Sequence, residues 1–568
     1  MTQTDGRALR LFVLIVVIGG LVFPIVAGLW ETLRAAFGKL PAIGAETWTL
    51  AHWDRLFALP GVATSVKLTL WTGSAATLLS LLLASAAAAA WHGRFANAGI
   101  VRVLGPFLAV PHAALAIGLA FLIAPSGWIV RLVSPWATGW TLPPDVATVH
   151  DPMGLALILG LTIKEAPFLL LVMLSALSQL PVRAQLAAGR ALGYGPTMVW
   201  LKVILPQAYP LIRLPVLVVL SFSFSVVDMA IILGPSNPPV LSVAVTRWFF
   251  APDTTLIPAA AAAALLQTGA VLAGCGGWFA GERLVAALGR LWVLRGGRGG
   301  SGDGRAVASA TMVLVLGLGA LSLTALLLWS FAWRWPFPLA LPESWSLRGW
   351  AWTNGGWGGA FLNTSLIGLV TTAIALLLAI CWLEGEDRGG WQRARWALGL
   401  IYLPLLVPQI AFLYGLSVVF LRLGLSGGMV AVVWAQSLFV FPYVMIALSD
   451  PWRALDQRHF RSAAALGAGP FRRLWAVKLP ILLGPVLVAA AIGFAVSVAQ
   501  YLPTLFLGAG RVATLTTEAV TLSSGSDRRV TGVYAVLQAA LPLLAYAAAL
   551  FLPAILHRNR RGLKGGAA

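Results

Sequence analysis

Three ionisable residues stand inside long apolar runs of this sequence, where a charge is costly and points to work on a polar or charged species. Lys164 and Glu165 are adjacent in LTIKEAPFLLL, and Asp228 lies in FSVVDMAIILG. Neighbouring helical residues do not face each other, so Lys164 and Glu165 should find separate partners. Pro167, close behind, opens the helix locally. In FAVSVAQYLPTLFLG, counting from Ser497 as from Ser225, Gln500 takes the place of Asp228. Two polar groups at equivalent depth would face a shared central path. Lys164, Glu165, Asp228 and Gln500 are therefore the expected path residues, the alternative being a structural ion-pair cluster between helices. A carboxylate in low dielectric favours a cationic or polar ligand.

Other chemistry is sparse. Cys275 and Cys381 both fall in or at the end of apolar runs and read as buried small hydrophobes. His92, His112 and His150 are far apart and there is no HExxH, so no metal site is expected. No GxxxxGK[ST] occurs; FGKL (37–40) lacks the first Gly and the Ser/Thr, and LSGG (425–428) reads as a turn. This chain is therefore expected to hydrolyse no ATP, to be no enzyme and to hold no cofactor of its own.

The elements that position these residues are membrane helices. Of 568 residues, 59% are hydrophobic and 10% charged, against about 25% charged in a typical soluble protein. Runs near 20 residues recur throughout. About twelve spans are expected, at 11–30, 64–90, 98–124, 153–177, 210–234 and 257–280, then at 309–332, 360–383, 395–420, 429–449, 483–507 and 532–556. The net charge of +20 sits mostly in short loops. Those after even-numbered spans hold Arg94 and Arg102; Arg183, Arg190 and Lys202; Arg388 and Arg393; Arg453, Arg458, Arg461, Arg472, Arg473 and Lys478. The tail adds Arg558, Arg560, Arg561 and Lys564. The positive-inside rule places both termini in the cytoplasm and makes a nucleic-acid partner unnecessary.

The Gly, Ser and Arg-rich end of 281–308 reads as a cytoplasmic linker between halves 1–280 and 309–568. The halves repeat. ALGYGPTMVWLKVILP (191–206) matches ALGAGPFRRLWAVKLP (465–480) at an offset of 274, VPHAALAIGL (110–119) matches VPQIAFLYGL (407–416) at 297, and ATSVKLTL (63–70) matches NTSLIGLV (363–370) at 300. An even number of spans per half makes them parallel repeats about the membrane normal. The fold class is an all-α polytopic membrane protein of two six-helix repeats.

The duplicated stretch has its own grammar. A helix-favouring run over 182–192 meets Gly193, suited to a positive-φ C-cap. Pro196 suits the first position of a second short helix, which Pro206 should end. The copy at 454–480 repeats this with Gly467, Pro470 and Pro480. Gly193–Val203–Leu205–Pro206 and Gly467–Val477–Leu479–Pro480 resemble the core of the EAA loop of binding-protein-dependent ABC import permeases, and two such domains in one chain resemble the fused thiamine-type and ferric-iron-type permeases. The resemblance implies the type I permease fold in a bacterial inner membrane. It also implies coupling helices docking on two cytoplasmic ABC ATPase subunits that bind the ATP, and a solute-binding protein on the outer side. The family's acid aligns with Ala187 and Arg461, so it is missing from both copies, and the following Ala-Ala pair becomes Ala188-Gly189 and Ser462-Ala463. Arg190, Arg472 and Arg473 stand in as polar docking groups.

A twelve-helix secondary transporter driven by an ion gradient is the alternative; it would use Lys164, Glu165 and Asp228 as a proton relay but leaves the duplicated loop unexplained. GPSNPPVLSVAV (234–245) reads as an irregular outer loop or tight re-entry turn, and the tryptophans of 331–359 as an interfacial belt.

Overall fold

A segment in hydrocarbon must satisfy its own backbone, and a helix does so within one span. The computed structural model of the chain is accordingly helical. It describes residues 11–41, 44, 46–92, 104–105, 107–298, 304–351, 356–389, 395–525 and 527–556. Arg94, Arg102, Arg393, Arg558, Arg560, Arg561, Lys564, the start of the expected 98–124 span and residues 299–303 of the linker lie outside these. Among the described residues the sheet content is one antiparallel ribbon, Ala332–Arg334 against Ser344–Trp345.

Ten described helices are long and apolar enough to cross a membrane, fewer than the twelve expected. Prolines account for the difference. The 395–420 span divides into Arg395–Leu406 and the short Gln409–Arg422, because the residue before Pro408 is pushed out of the helical region. Pro470–Ile481 meets Leu483–Ala499 at 78°, an eleventh span if the pair is counted as one. Pro485 just beyond has no N–H, and its ring crowds the carbonyl of Ile481, so the chain leaves the helix at Leu482.

Residues 281–294, expected as the start of the linker, are helical. Ile257–Leu294 runs unbroken for 38 residues, about 57 Å, against a hydrocarbon thickness of about 30 Å. Leu, Ala, Arg and Glu dominate GERLVAALGRLWVL, and they are good helix formers. The connection proper shrinks to the residues between Leu294 and Arg305. Cys275 and Cys381 are half-buried, not buried.

Packing also corrects the register of one repeat. In Val62–Trp91 the buried face is Thr69, Thr72, Gly73, Ala76, Thr77, Ser80 and Ala84; in Gly358–Gly389 it includes Thr364, Ile367, Gly368, Thr371, Thr372, Ala375 and Ala379. These superpose at an offset of 295, not 300. Thr69 Oγ1 accepts from Leu241 N (2.9 Å) as Thr364 Oγ1 accepts from Leu515 N (2.8 Å). The short match at 300 placed small residues on equivalent letters but on different faces.

Each half lends its first helix to the other. Leu11–Ala36 lies against Gln409–Arg422, and Arg305–Phe331 lies against His112–Ile123. Gly415 touches the backbone at Gly28, and Gly118 that at Ser322, with no room for a methyl group. Such small residues let membrane helices approach closely. Buried side chains of both halves merge in one apolar cluster, Ile25, Ile117 and Leu122 with Phe412, Leu416 and Phe439.

Candidate functional site

The two repeated loops share one backbone. Val182–Ala191 and Gln457–Ala465 each end at a left-handed glycine, Gly193 at φ 80° and Gly467 at φ 78°. In both, the following amide reaches back five residues: Tyr194 N to Gly189 O and Ala468 N to Ala463 O, at 2.9 and 3.0 Å. This closes the last helical carbonyls. Pro196 and Pro470 occupy the first turn of the next helix, and a five-residue π turn follows in each, Trp200–Ile204 and Leu474–Lys478. The wide turns immediately precede Leu205-Pro206 and Leu479-Pro480, where proline offers no N–H. Pro206 does not end its helix, which continues from Leu205 to Ser225; after Pro480 the helix stops at Ile481. Leu192 and Leu466, just before each glycine, are 65% and 87% exposed. Ala187, Ala188, Arg190, Arg461 and Arg472 are also exposed, and Ala463 is half-buried.

The loops are seated differently. Ile204 is fully buried in an apolar cluster with Ala84, Ala88, Met173 and Leu177, and Trp200 Nε1 donates to Ser85 Oγ at 3.3 Å. A strap crosses this loop: Lys202 Nζ donates to Gly297 O (2.6 Å) and lies over the Trp292 ring. In the second copy the place of Ile204 is taken by Lys478. It is buried, 2.7 Å from Glu384 and 2.5 Å from Asp387, and stacked over Trp452. Arg388 pairs with Glu384 and Arg453 with Glu386, both at 2.8 Å, and Trp452 Nε1 donates to Asp387 at 2.9 Å. Lys478 stood in the sequence as a loop cation; its burial depends on carboxylates about 90 residues earlier.

Of the path residues, Lys164 and Glu165 diverge. Lys164 Nζ donates to Phe107 O (2.9 Å), Leu108 O (3.0 Å) and Val110 O, closing the carbonyls before Pro111. Glu165 Oε1 lies 3.2 Å from His112 Nε2, a hydrogen bond when that nitrogen carries the proton. Asp228 is half-buried at the start of Asp228–Leu233, after a break at Val226-Val227. Gln500 is buried at the corresponding break before Leu502–Gly508. Val226 O accepts from Ser242 Oγ as Val498 O accepts from Thr516 Oγ1, which keeps the offset of 272 between Asp228 and Gln500. His112 and Tyr501 lie within electrostatic range of Asp228, and Tyr443 within that of Glu165. Glu165 and Asp228 of one half thus lie within electrostatic range of Tyr443 and Tyr501 of the other. His112 follows the repeated Val-Pro, a signal that could have marked it, although the expected 98–124 span placed it mid-helix; the structure starts the helix there, and the tyrosines gave no such signal.

Parallel helical halves that exchange their first helix and carry paired turn-centred loops are the type I permease fold of ABC transporters. Residues 372–559 match the family described as binding-protein-dependent transport system inner membrane component. The chain belongs to that family and is an inner-membrane permease component. It is 32% identical over 541 residues, 94% of this chain and 98% of the relative, to the inner membrane ABC transporter permease protein YnjC of Escherichia coli (strain K12). It is also 32% identical over 164 residues, 27% of this chain and 59% of the relative, to the molybdenum transport system permease protein ModB of Mycobacterium tuberculosis.

Proposed function

We propose that the two halves, 1–280 and 309–568, line the translocation pathway of an ATP-driven importer. Loops 182–206 and 454–480 are the seats of two cytoplasmic ATPase subunits, which bind the ATP; this chain supplies no cofactor. Both termini lie on the same cytoplasmic side as the loops. A solute-binding protein delivers solute at the opposite face. The observation that carries this reading is the shared loop backbone, which holds Leu192 and Leu466 out of the molecule at equivalent places over two unrelated foundations. Exposed leucines fixed by a left-handed glycine suit an apolar groove on a partner. With Ala187 and Arg461 where the family carries an acid, docking rests on these leucines and on Arg190, Arg472 and Arg473. Asp228, Gln500 and Glu165 face the pathway, and Lys164 holds the chain beside it. ATP binding shifts the permease between states only through differential contact at the seats.

The test is co-expression with the ATPase subunit. Leu192→Asp with Leu466→Asp is expected to abolish co-purification and ATP-dependent uptake while the chain stays monodisperse in detergent. Uptake that persists without any ATPase and collapses with the proton gradient would replace this reading by an ion-driven transporter using Glu165 and Asp228 as a relay.

A further inference from the structure

At the end of the molecule away from the repeated loops, a cavity of about 470 Å³ opens where Arg305–Phe331 of the second half meets the end of His112–Ile123 of the first. Three arginines line it against a single acid, Asp527. That acid is already engaged, gripping Arg529 through both oxygens at 2.9 and 2.8 Å. Arg131 is buried and donates to the carbonyls of Ser126, Trp335, Pro336 and Leu339. These take four of its five N–H donors, all to neutral carbonyls, so its charge is not answered. Arg528 donates to Ser126 O (3.2 Å) and Ser126 Oγ (2.8 Å); the rest of its five N–H donors have no partner among the described residues. No described carboxylate lies within ion-pair distance of Arg131 or Arg528.

Trp329 makes the gap sharper. Both guanidinium groups lie near its ring, Arg131 at 5.5 Å and Arg528 at 5.1 Å from the centroid. The residue is 9% exposed, it lines the cavity, and its Nε1 is buried with no hydrogen-bond partner. A buried N–H left without an acceptor is costly, and two like charges over one indole repel each other. Three guanidinium groups against one carboxylate leave the lining with an excess of positive charge.

The corresponding junction in the other half shows what is missing. There Leu11–Ala36 meets Gln409–Arg422, and Glu31 answers both Arg422, at 2.8 and 3.0 Å, and Arg34, at 2.9 Å. One junction carries its own carboxylate. The other carries a cavity where a carboxylate would stand. We propose that this cavity binds an oxyanion, a phosphate or sulfate group, held by Arg528 and Ser126 Oγ in the field of Arg131. Charge-assisted bonds to a guanidinium are the strong ones for such groups. The volume leaves room for more than the anion itself, so a free anion and the headgroup of an anionic lipid share this chemistry.

Two arms separate those sources. The full chain, delipidated in dodecyl maltoside, is titrated with sodium phosphate by calorimetry against sodium chloride at matched ionic strength. In parallel, native mass spectrometry follows added phosphatidylglycerol. Saturable binding in either arm, one site per chain, is expected and names the source. Arg528→Gln should weaken it at least about tenfold, the loss of one charged hydrogen bond. Ser126→Ala, which removes the hydroxyl, should weaken it about threefold and decides the matter if the arginine variant does not fold. Absence of binding in both arms, or wild-type affinity in the folded variants, overturns the proposal.

Discussion

Beneath the first repeated loop, Ile204 is packed among alanines, Met173 and Leu177; beneath the second, the equivalent Lys478 sits between Glu384 and Asp387. Above these foundations the backbones agree, from the left-handed glycine through the proline-started turn to the π turn. Glycine and proline fix that shape locally, so what lies underneath is free to differ. An apolar foundation tolerates piecemeal change. An ionic one does not, because a buried charge needs its partner at once.

The largest effect should come from forcing the second chemistry onto the first loop. Ile204→Lys places an ammonium among apolar side chains with no carboxylate, a cost of several kcal/mol. Its expected outcome is loss of the monodisperse peak in size-exclusion chromatography. The reverse exchange, Lys478→Ile, leaves Glu384 with Arg388 alone and Asp387 with only the Trp452 Nε1 bond, and should cost up to about 3–5 kcal/mol in thermal unfolding. Adding Glu384→Leu and Asp387→Leu should recover most of it. If Lys478→Ile alone is neutral, the ionic foundation is not what holds the second loop.

A smaller, symmetric effect tests the shared backbone. Gly193→Val and Gly467→Val each force a branched residue into the left-handed region, about 1–3 kcal/mol. The two should shift the melting temperature alike, since nothing but the dihedral is common to them. Unequal shifts would show that the loops are set by their foundations instead.

The smallest prediction concerns pH. His92 lies by the first loop, and burial first, then the charge of Arg183, hold its pKa below the usual histidine value. The neutral form is therefore the one the fold accepts. Its stability contribution is complete above about pH 6.5, the unfolded value, and is lost as pH falls below it. Melting scans from pH 8 to 5 should show a small decline that His92→Gln reduces, the remainder coming from His52, whose pKa burial also lowers, while Lys478→Ile leaves it in place.

Much of this arrangement was legible before any coordinates. The spacing of Gly193 to Pro196 and of Gly467 to Pro470 encodes a turn that depends on neighbours within five residues, so it can be read from letters. Asp228 and Gln500 could be paired because Ser225 and Ser497 lie three residues away. The match of 63–70 to 363–370 misled because apolar membrane sequence offers many near-matches. Only the face buried against Leu241 and Leu515 selects 295. Likewise the linker expected over 281–308 drew its signal from its Gly, Ser and Arg-rich end, whereas 281–294 is a run of helix formers.

The sequence by itself determined the apolar spans, the doubled architecture and the backbone of the repeated loops, because each rests on composition or on contacts a few residues long. Tertiary structure decided the exchange of first helices, the burial of Lys478, the meeting of Glu165 with His112, and the cavity in which Arg528 stands without a carboxylate. These bring together residues from about 50 to 400 positions apart. No local pattern of letters says which distant charge will arrive to answer another, or that at one junction none does.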